Sequence, residues 1–139
     1  MIIITKSIKI HSKGENDIID LTKTVESFLR DSKLSNGTVT VFVSGSTGSI
    51  ITIEFELGLI NDFPDMLNRI IPKEMDYGHE QMWHDGNGHS HVKASLIGPS
   101  LTVPFVDKKL CLGTWQQVVF LELDTRSRNR SLVSQIMGE

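Results

Sequence analysis

Ile2 to Ile10 is dense in β-branched residues and predicts a first strand. Ile18, Leu21, Val25, Phe28 and Leu29 then recur at steps of three and four. That spacing puts one apolar stripe on a helix predicted from Ile18 to Ser32, with Glu15-Asn16-Asp17 as capping residues and Ser35-Asn36-Gly37 ending it. Thr38 to Ser44, almost all β-branched or aromatic, predicts a buried strand. Ile51, Ile53, Phe55 and Leu57 alternate with Thr52, Glu54 and Glu56, the period of a half-exposed strand. The loop Gly45-Ser46-Thr47-Gly48-Ser49 is short enough to join these two strands as a hairpin.

Asp62-Phe63-Pro64 reads as a helix entry, and Leu67, Ile70 and Ile71 give that helix its apolar face up to Pro72. From Lys73 to Ser90 no period survives, and a loop of that length in a compact domain is usually functional. Strands are predicted again at Val92–Ile97, Leu101–Val106, Lys109–Leu112, Gln117–Asp124 and Leu132–Met137. Gly98-Pro99-Ser100 and Asp107-Lys108 are connections of hairpin length. Two main helices among about eight strands predict an α+β fold, a largely antiparallel sheet in a single domain over residues 1–139.

Composition narrows the function classes. With 14 Lys and Arg against 17 Asp and Glu, the net charge of −3 gives no reason to expect nucleic acid as partner. The one cysteine, Cys111, excludes an intramolecular disulfide and any Cys-rich zinc module, and its place in a predicted strand suggests a small buried hydrophobe. No stretch has the apolar length of a membrane span, and the N-terminus shows no signal-peptide pattern, so a cytoplasmic protein is expected.

The chemistry concentrates in the aperiodic stretch. His79, His89 and His91 cluster there, and at the mouth of a strand His89 and His91 would project to one face and share an ion. Three imidazoles and a water match an open site for a divalent metal, zinc favoured. A His-rich loop with no ion is the plainer alternative. Asp85 could orient an imidazole or act as a base, and Asn87 offers a neutral amide to a substrate. Ser46 and Thr47 could hold a phosphate by amides and hydroxyls, although the P-loop ending is absent and a simple turn suits them too. Thr114, Trp115 and Gln116 could present an indole and an amide to a flat heterocycle, though an indole more often packs in a core. Arg126, Arg128 and Arg130 alternate; they could grip a phosphate, pair with carboxylates across a subunit boundary, or be solvated surface charge.

The ordered residues His79, Asn87, His91-Val92-Lys93-Ala94-Ser95-Leu96-Ile97-Gly98, Pro104, Leu110-Cys111-Leu112-Gly113-Thr114-Trp115-Gln116, Glu122, Asp124 and Arg128 resemble the YjbQ-like family, also called the secondary thiamine-phosphate synthase family. The resemblance implies an α+β fold, a homotrimer with sites near subunit boundaries, and a metal held by histidines. It also implies a thiamine-phosphate-synthase activity joining a pyrimidine-methyl diphosphate to a thiazole phosphate. Under that expectation His79, Asp85, Asn87 and His91 are catalytic, and His79, His89 and His91 hold the metal. Ser46, Thr47, Thr114, Trp115, Gln116, Arg126 and Arg128 bind a phosphorylated small molecule. The chain departs from the family at Gly45-Ser46-Thr47-Gly48, where many members carry His-Thr-Thr-Ala; His89 would then supply the third imidazole. A metal-dependent hydrolase of a small phosphorylated or cyclic substrate, or a non-catalytic trimeric binding module, would use the same residues.

Overall fold

A computed structural model describes residues 1–139. The elements run β1 (Ile2–Ser12), β2 (Ile18–Asp20), α1 (Thr22–Ser32), β3 (Gly37–Val43), β4 (Gly48–Ile53), α2 (Leu57–Ile70), α3 (Gly78–Trp83), α4 (Gly88–Ile97), β5 (Ser100–Val106), β6 (Lys109–Leu110), β7 (Gln117–Glu122) and β8 (Arg128–Gly138). Every strand pair is antiparallel, in two sheets ordered β1-β8-β3-β5-β6 and β2-β7-β4. The α+β expectation holds, with four helices instead of two.

β7 is the strand around which the layers are arranged. Val118 and Phe120 join the main core with Val41, Leu132 and Ile136 of the larger sheet and Val25 and Leu29 of α1. Val119 and Leu121 point the other way, into a second cluster with Leu67 of α2 and Ala94 of α4. Both faces of β7 are therefore dry, which is why its sequence is a continuous apolar run without alternation.

Several elements differ from the sequence reading, each for a local reason. Ile18 to Asp20 is a strand, because Asp20 Oδ1 accepts from the Thr22 amide (3.0 Å) and hydroxyl (2.7 Å) and delays the helix to Thr22. Ile18 and Leu21 extended the helical period only by coincidence; they are buried in different clusters. The proposed β3–β4 hairpin does not form, since the Gly45–Thr47 turn carries the chain from one sheet to the other. The alternation at Phe55 and Leu57 overlies a helix start. Glu56 caps α2 by accepting from Gly58 N (2.8 Å) and Leu59 N (2.6 Å), so Asp62 and Pro64 fall inside that helix.

The largest correction is at Val92–Ile97, which is helix α4 and no strand. α4 is turned with its polar residues inward: His89, Ser90 and Lys93 are buried, while Val92 and Leu96 face out. No rule that puts apolar residues inside could have found it. The Gly98-Pro99-Ser100 connection accordingly leaves a helix, whereas Asp107-Lys108 does turn the β5–β6 hairpin, both residues with positive φ. Cys111 is exposed, because β6 ends at Leu110 and the chain leaves the sheet there.

β8 is held between two neighbours, with Gly138 opposite both Ile2 and Gly37. A Cβ on Gly37 would lie 2.0 Å from the Met137 carbonyl oxygen and 2.7 Å from Gly138 Cα. Gly37→Ala is expected to cost at least about 2 kcal/mol, measured as a fall in the urea midpoint at unchanged m-value.

Candidate functional site

Two pairs of charges close one end of the space between the sheets. Glu122, the last residue of β7, is fully buried and accepts from Arg130 Nε (3.0 Å) and Ser12 Oγ (2.7 Å), with Arg130 Nη2 on its other oxygen. Arg130 Nη2 also reaches Thr47 Oγ1 at 2.9 Å, tying the β3–β4 turn to β8. Two residues on, Asp124 accepts from Arg128 Nε (2.9 Å) and Nη2, and from Thr47 Oγ1 (3.3 Å). Burial alone would raise the Asp124 pKa, but Arg128, the Thr125 amide and Asn87 hold it below the ordinary value.

On this floor stand the imidazoles. His79 on α3 and His91 on α4 have ring centroids 4.4 Å apart. Burial, with His79 beside it, lowers the His91 pKa, so its imidazole is a neutral base at pH 7. His79 Nε2 lies 3.1 Å from Asp85 Oδ1. Asn87, which precedes the first residue of α4, inserts its carboxamide between Asp124 Oδ1 (3.3 Å) on one side and Asp85 Oδ1 (2.7 Å) and His79 Nε2 (3.0 Å) on the other. An amide can donate from one end only. Whichever way Asn87 is turned, its oxygen faces a carboxylate, a repulsive contact relieved by a proton or cation between them.

His89 is elsewhere. Residues two apart on a helix point to nearly opposite sides, so His91 faces His79 while His89 turns inward. There it is almost wholly buried and hydrogen-bonded through Nε2 to Glu15 Oε1. The three-histidine grouping is not assembled, and no three His, Cys, Asp or Glu side chains converge to hold an ion. A cation fits only if the Asn87 oxygen counts as a ligand, with His79 Nε2 and Asp85 Oδ1 at mutual distances of 2.7 to 3.1 Å.

Other expected site residues are divided. Thr47 and Arg128 are at the site but already bonded to Asp124; Ser46 and Arg126, their neighbours along the chain, are exposed and make no side-chain hydrogen bond to it. The arginine pairs are made within the chain. Thr114, Trp115 and Gln116 precede β7, whose six residues, on the order of 20 Å of strand, separate them from Asp124 at its far end. Glu15 and Glu80 were not foreseen. Glu80 Oε1 accepts from the Gly88 amide at 2.6 Å and so occupies the start of α4. Nothing in the sequence pairs Glu15 with His89, because that contact is made by folding and not by spacing.

Residues 6–139 match the profile described as UPF0047 protein YjbQ-like. The chain belongs to the YjbQ-like UPF0047 family. A UPF0047 protein of Methanothermobacter thermautotrophicus is 35% identical over 139 residues, covering 100% of this chain and 95% of the relative. The UPF0047 protein YugU of Bacillus subtilis is 30% identical over 137 residues, covering 96% and 98%. Among solved structures, a YbjQ-like protein of unknown function from Sulfolobus solfataricus superposes with TM-score 0.89 at 29% identity, covering 99% of both chains. A hypothetical protein from Aeropyrum pernix does so with TM-score 0.89 at 28% identity, covering 98% of this chain and 99% of that one. The family fold thus extends over the whole chain, site included.

Truncating Arg130 would leave Glu122 buried and unpaired, so Arg130→Ala is expected to cost about 3–5 kcal/mol in chemical denaturation. The Glu15 pKa, which burial would raise, is lowered below 4.5 by Lys73 and His89. A carboxylate held low in the native state contributes stability that is complete above its unfolded pKa and is lost as pH falls through its folded one. Asp124 acts in the same direction. Melting temperature is therefore expected to fall below about pH 4.5, less steeply in Glu15→Gln, as a pH series of thermal melts would read.

Proposed function

We propose that this chain is a cytoplasmic transferase of thiamine-phosphate-synthase type, condensing a pyrimidine-methyl diphosphate with a thiazole phosphate at the His79–His91 pair. The observation that carries the proposal is the close approach of His91 to His79, ring centroids 4.4 Å apart and planes tilted by 45°, beside the Asp124–Arg128 pair. In that reaction diphosphate leaves the pyrimidine methylene carbon as the thiazole nitrogen bonds to it. The site must receive the leaving anion, stabilise the positive carbon and keep water away.

Arg128 spends Nε and Nη2 on Asp124 while its side chain is 34% exposed, leaving Nη1 for a phosphate oxygen. Ser46, next to Thr47, and Arg126, two residues before Arg128, are both exposed and extend that grip. His91 and His79 line the reacting centre, where a neutral imidazole faces a developing cation without charge repulsion. Asp85 orients His79, and Asn87 holds Asp85 and Asp124 apart. A divalent ion, zinc by its imidazole and carboxylate donors, would be held by His79, Asp85 and the Asn87 oxygen with His91 alongside, and would add positive charge for the diphosphate. Copies of the chain are proposed to join as a homotrimer through the outward apolar residues Met82 and Trp83 of α3 and Val92 and Leu96 of α4, beside the site.

Incubation with both precursors, with and without added zinc, is expected to yield the coupled product and diphosphate. His91→Ala should lower kcat about a hundredfold or more. Phosphate release from a panel of simple esters, without coupling, would replace this reading with a metal-dependent hydrolase. No turnover of either kind, with an ion retained and lost in Asp85→Ala, would leave a binding module.

A further inference from the structure

Trp115 is 70% exposed, an unusual place for an indole in a folded domain, and the turn that carries it is built to keep it there. Gln116 N donates to the Gly113 carbonyl (3.0 Å), and Gly113 N donates back to Gln116 Oε1 (2.8 Å). The same Gln116 side chain reaches Thr52 of β4 (3.5 Å). The residue expected to touch a substrate therefore locks the turn, and the indole beside it is displayed.

Trp115 lines a hollow of about 390 Å³ together with Phe55, itself 41% exposed, and the carboxylates of Asp20, Glu54 and Glu56. Lys23 is the one basic side chain on its wall. Two of the carboxylates are fixed in place: Asp20 by the Thr22 amide and hydroxyl, Glu56 by the amides that open α2. The Glu54 carboxylate makes no hydrogen bond or ion pair within the chain and is free to meet a ligand. Two exposed aromatic side chains with an excess of negative charge suit a positively charged organic group, since aromatic rings and carboxylates attract it and its methyl or ring surface leaves water.

We propose that this hollow binds an organic ammonium group, quaternary or aromatic, at a second site separate from the His79–His91 pair. The two sites lie at opposite ends of β7 and share no residue. The proposal does not rest on the transferase reading, and its test does not use turnover.

The test is an NMR titration of the full-length, isotopically labelled protein, with the two indole N–H signals assigned by Trp83→Phe. The probes are choline and its uncharged isostere 3,3-dimethylbutan-1-ol. Choline is expected to move the Trp115 indole and the Gln117 amide saturably, leaving His91 and Trp83 unmoved, with the isostere at least tenfold weaker. Glu54→Gln should weaken choline several-fold, and Trp115→Ala should abolish the saturable shift of Gln117 in an otherwise unchanged spectrum. Equal response to the two probes, or no movement of the Trp115 indole up to tens of millimolar choline, would overturn it.

Discussion

The buried pair Glu122–Arg130 is the contact on which the rest of this molecule depends. β7 runs between two dry faces and must end somewhere, and it ends in a carboxylate buried without exposure to water. A charge so placed demands a partner, and Arg130 comes from the opposite sheet to supply it. The pair therefore sets how the two sheets meet at that end. Arg130 also takes hold of Thr47, which fixes the turn that crosses between the sheets. Two residues beyond, Asp124 repeats the device with Arg128, and the candidate site is assembled on it.

That floor explains why the imidazoles can be close without regular support from their own helix. α4 buries the polar His89, Ser90 and Lys93 beside the apolar Ala94 and turns the apolar Val92 and Leu96 outward, a departure from the usual amphipathic arrangement. Its inward residues serve two clusters on different sides. Asn87 and His91 meet His79, Asp85 and Asp124; His89 turns to Glu15, itself bonded to Lys73. The second cluster anchors the helix, and the first forms the candidate site. An anchored helix keeps His91 in register with His79, their ring centroids 4.4 Å apart.

The two ends of β7 carry different chemistry. At one end are paired arginines and carboxylates under two imidazoles; at the other, an exposed indole among carboxylates. The strand between them is extended and buried from Val118 to Glu122, so neither end can approach the other in one chain. Residues grouped by a shared resemblance, such as Trp115 and His91, are thus distributed over surfaces that only folding distinguishes.

What the sequence determined by itself was the set of elements whose burial follows from their own pattern. β1, β3, β5 and β7 announce themselves by β-branched or unbroken apolar runs, and the body of α1 by its stripe Val25, Phe28, Leu29. The α+β class and the largely antiparallel pairing follow from that much; residue type gathered His79, His89 and His91 as one candidate cluster, of which the fold brings only His79 and His91 together. Tertiary structure decided what no local pattern encodes. It made Val92–Ile97 part of a helix whose first turn carries His89 inward to Glu15. It sent His89 to Glu15, 74 positions away, and Trp115 to the far end of a strand. Local periodicity records only which side of an element faces the core. Which polar groups meet depends on contacts distant in sequence, and their hydrogen bonds and charge pairing are settled when the sheets close.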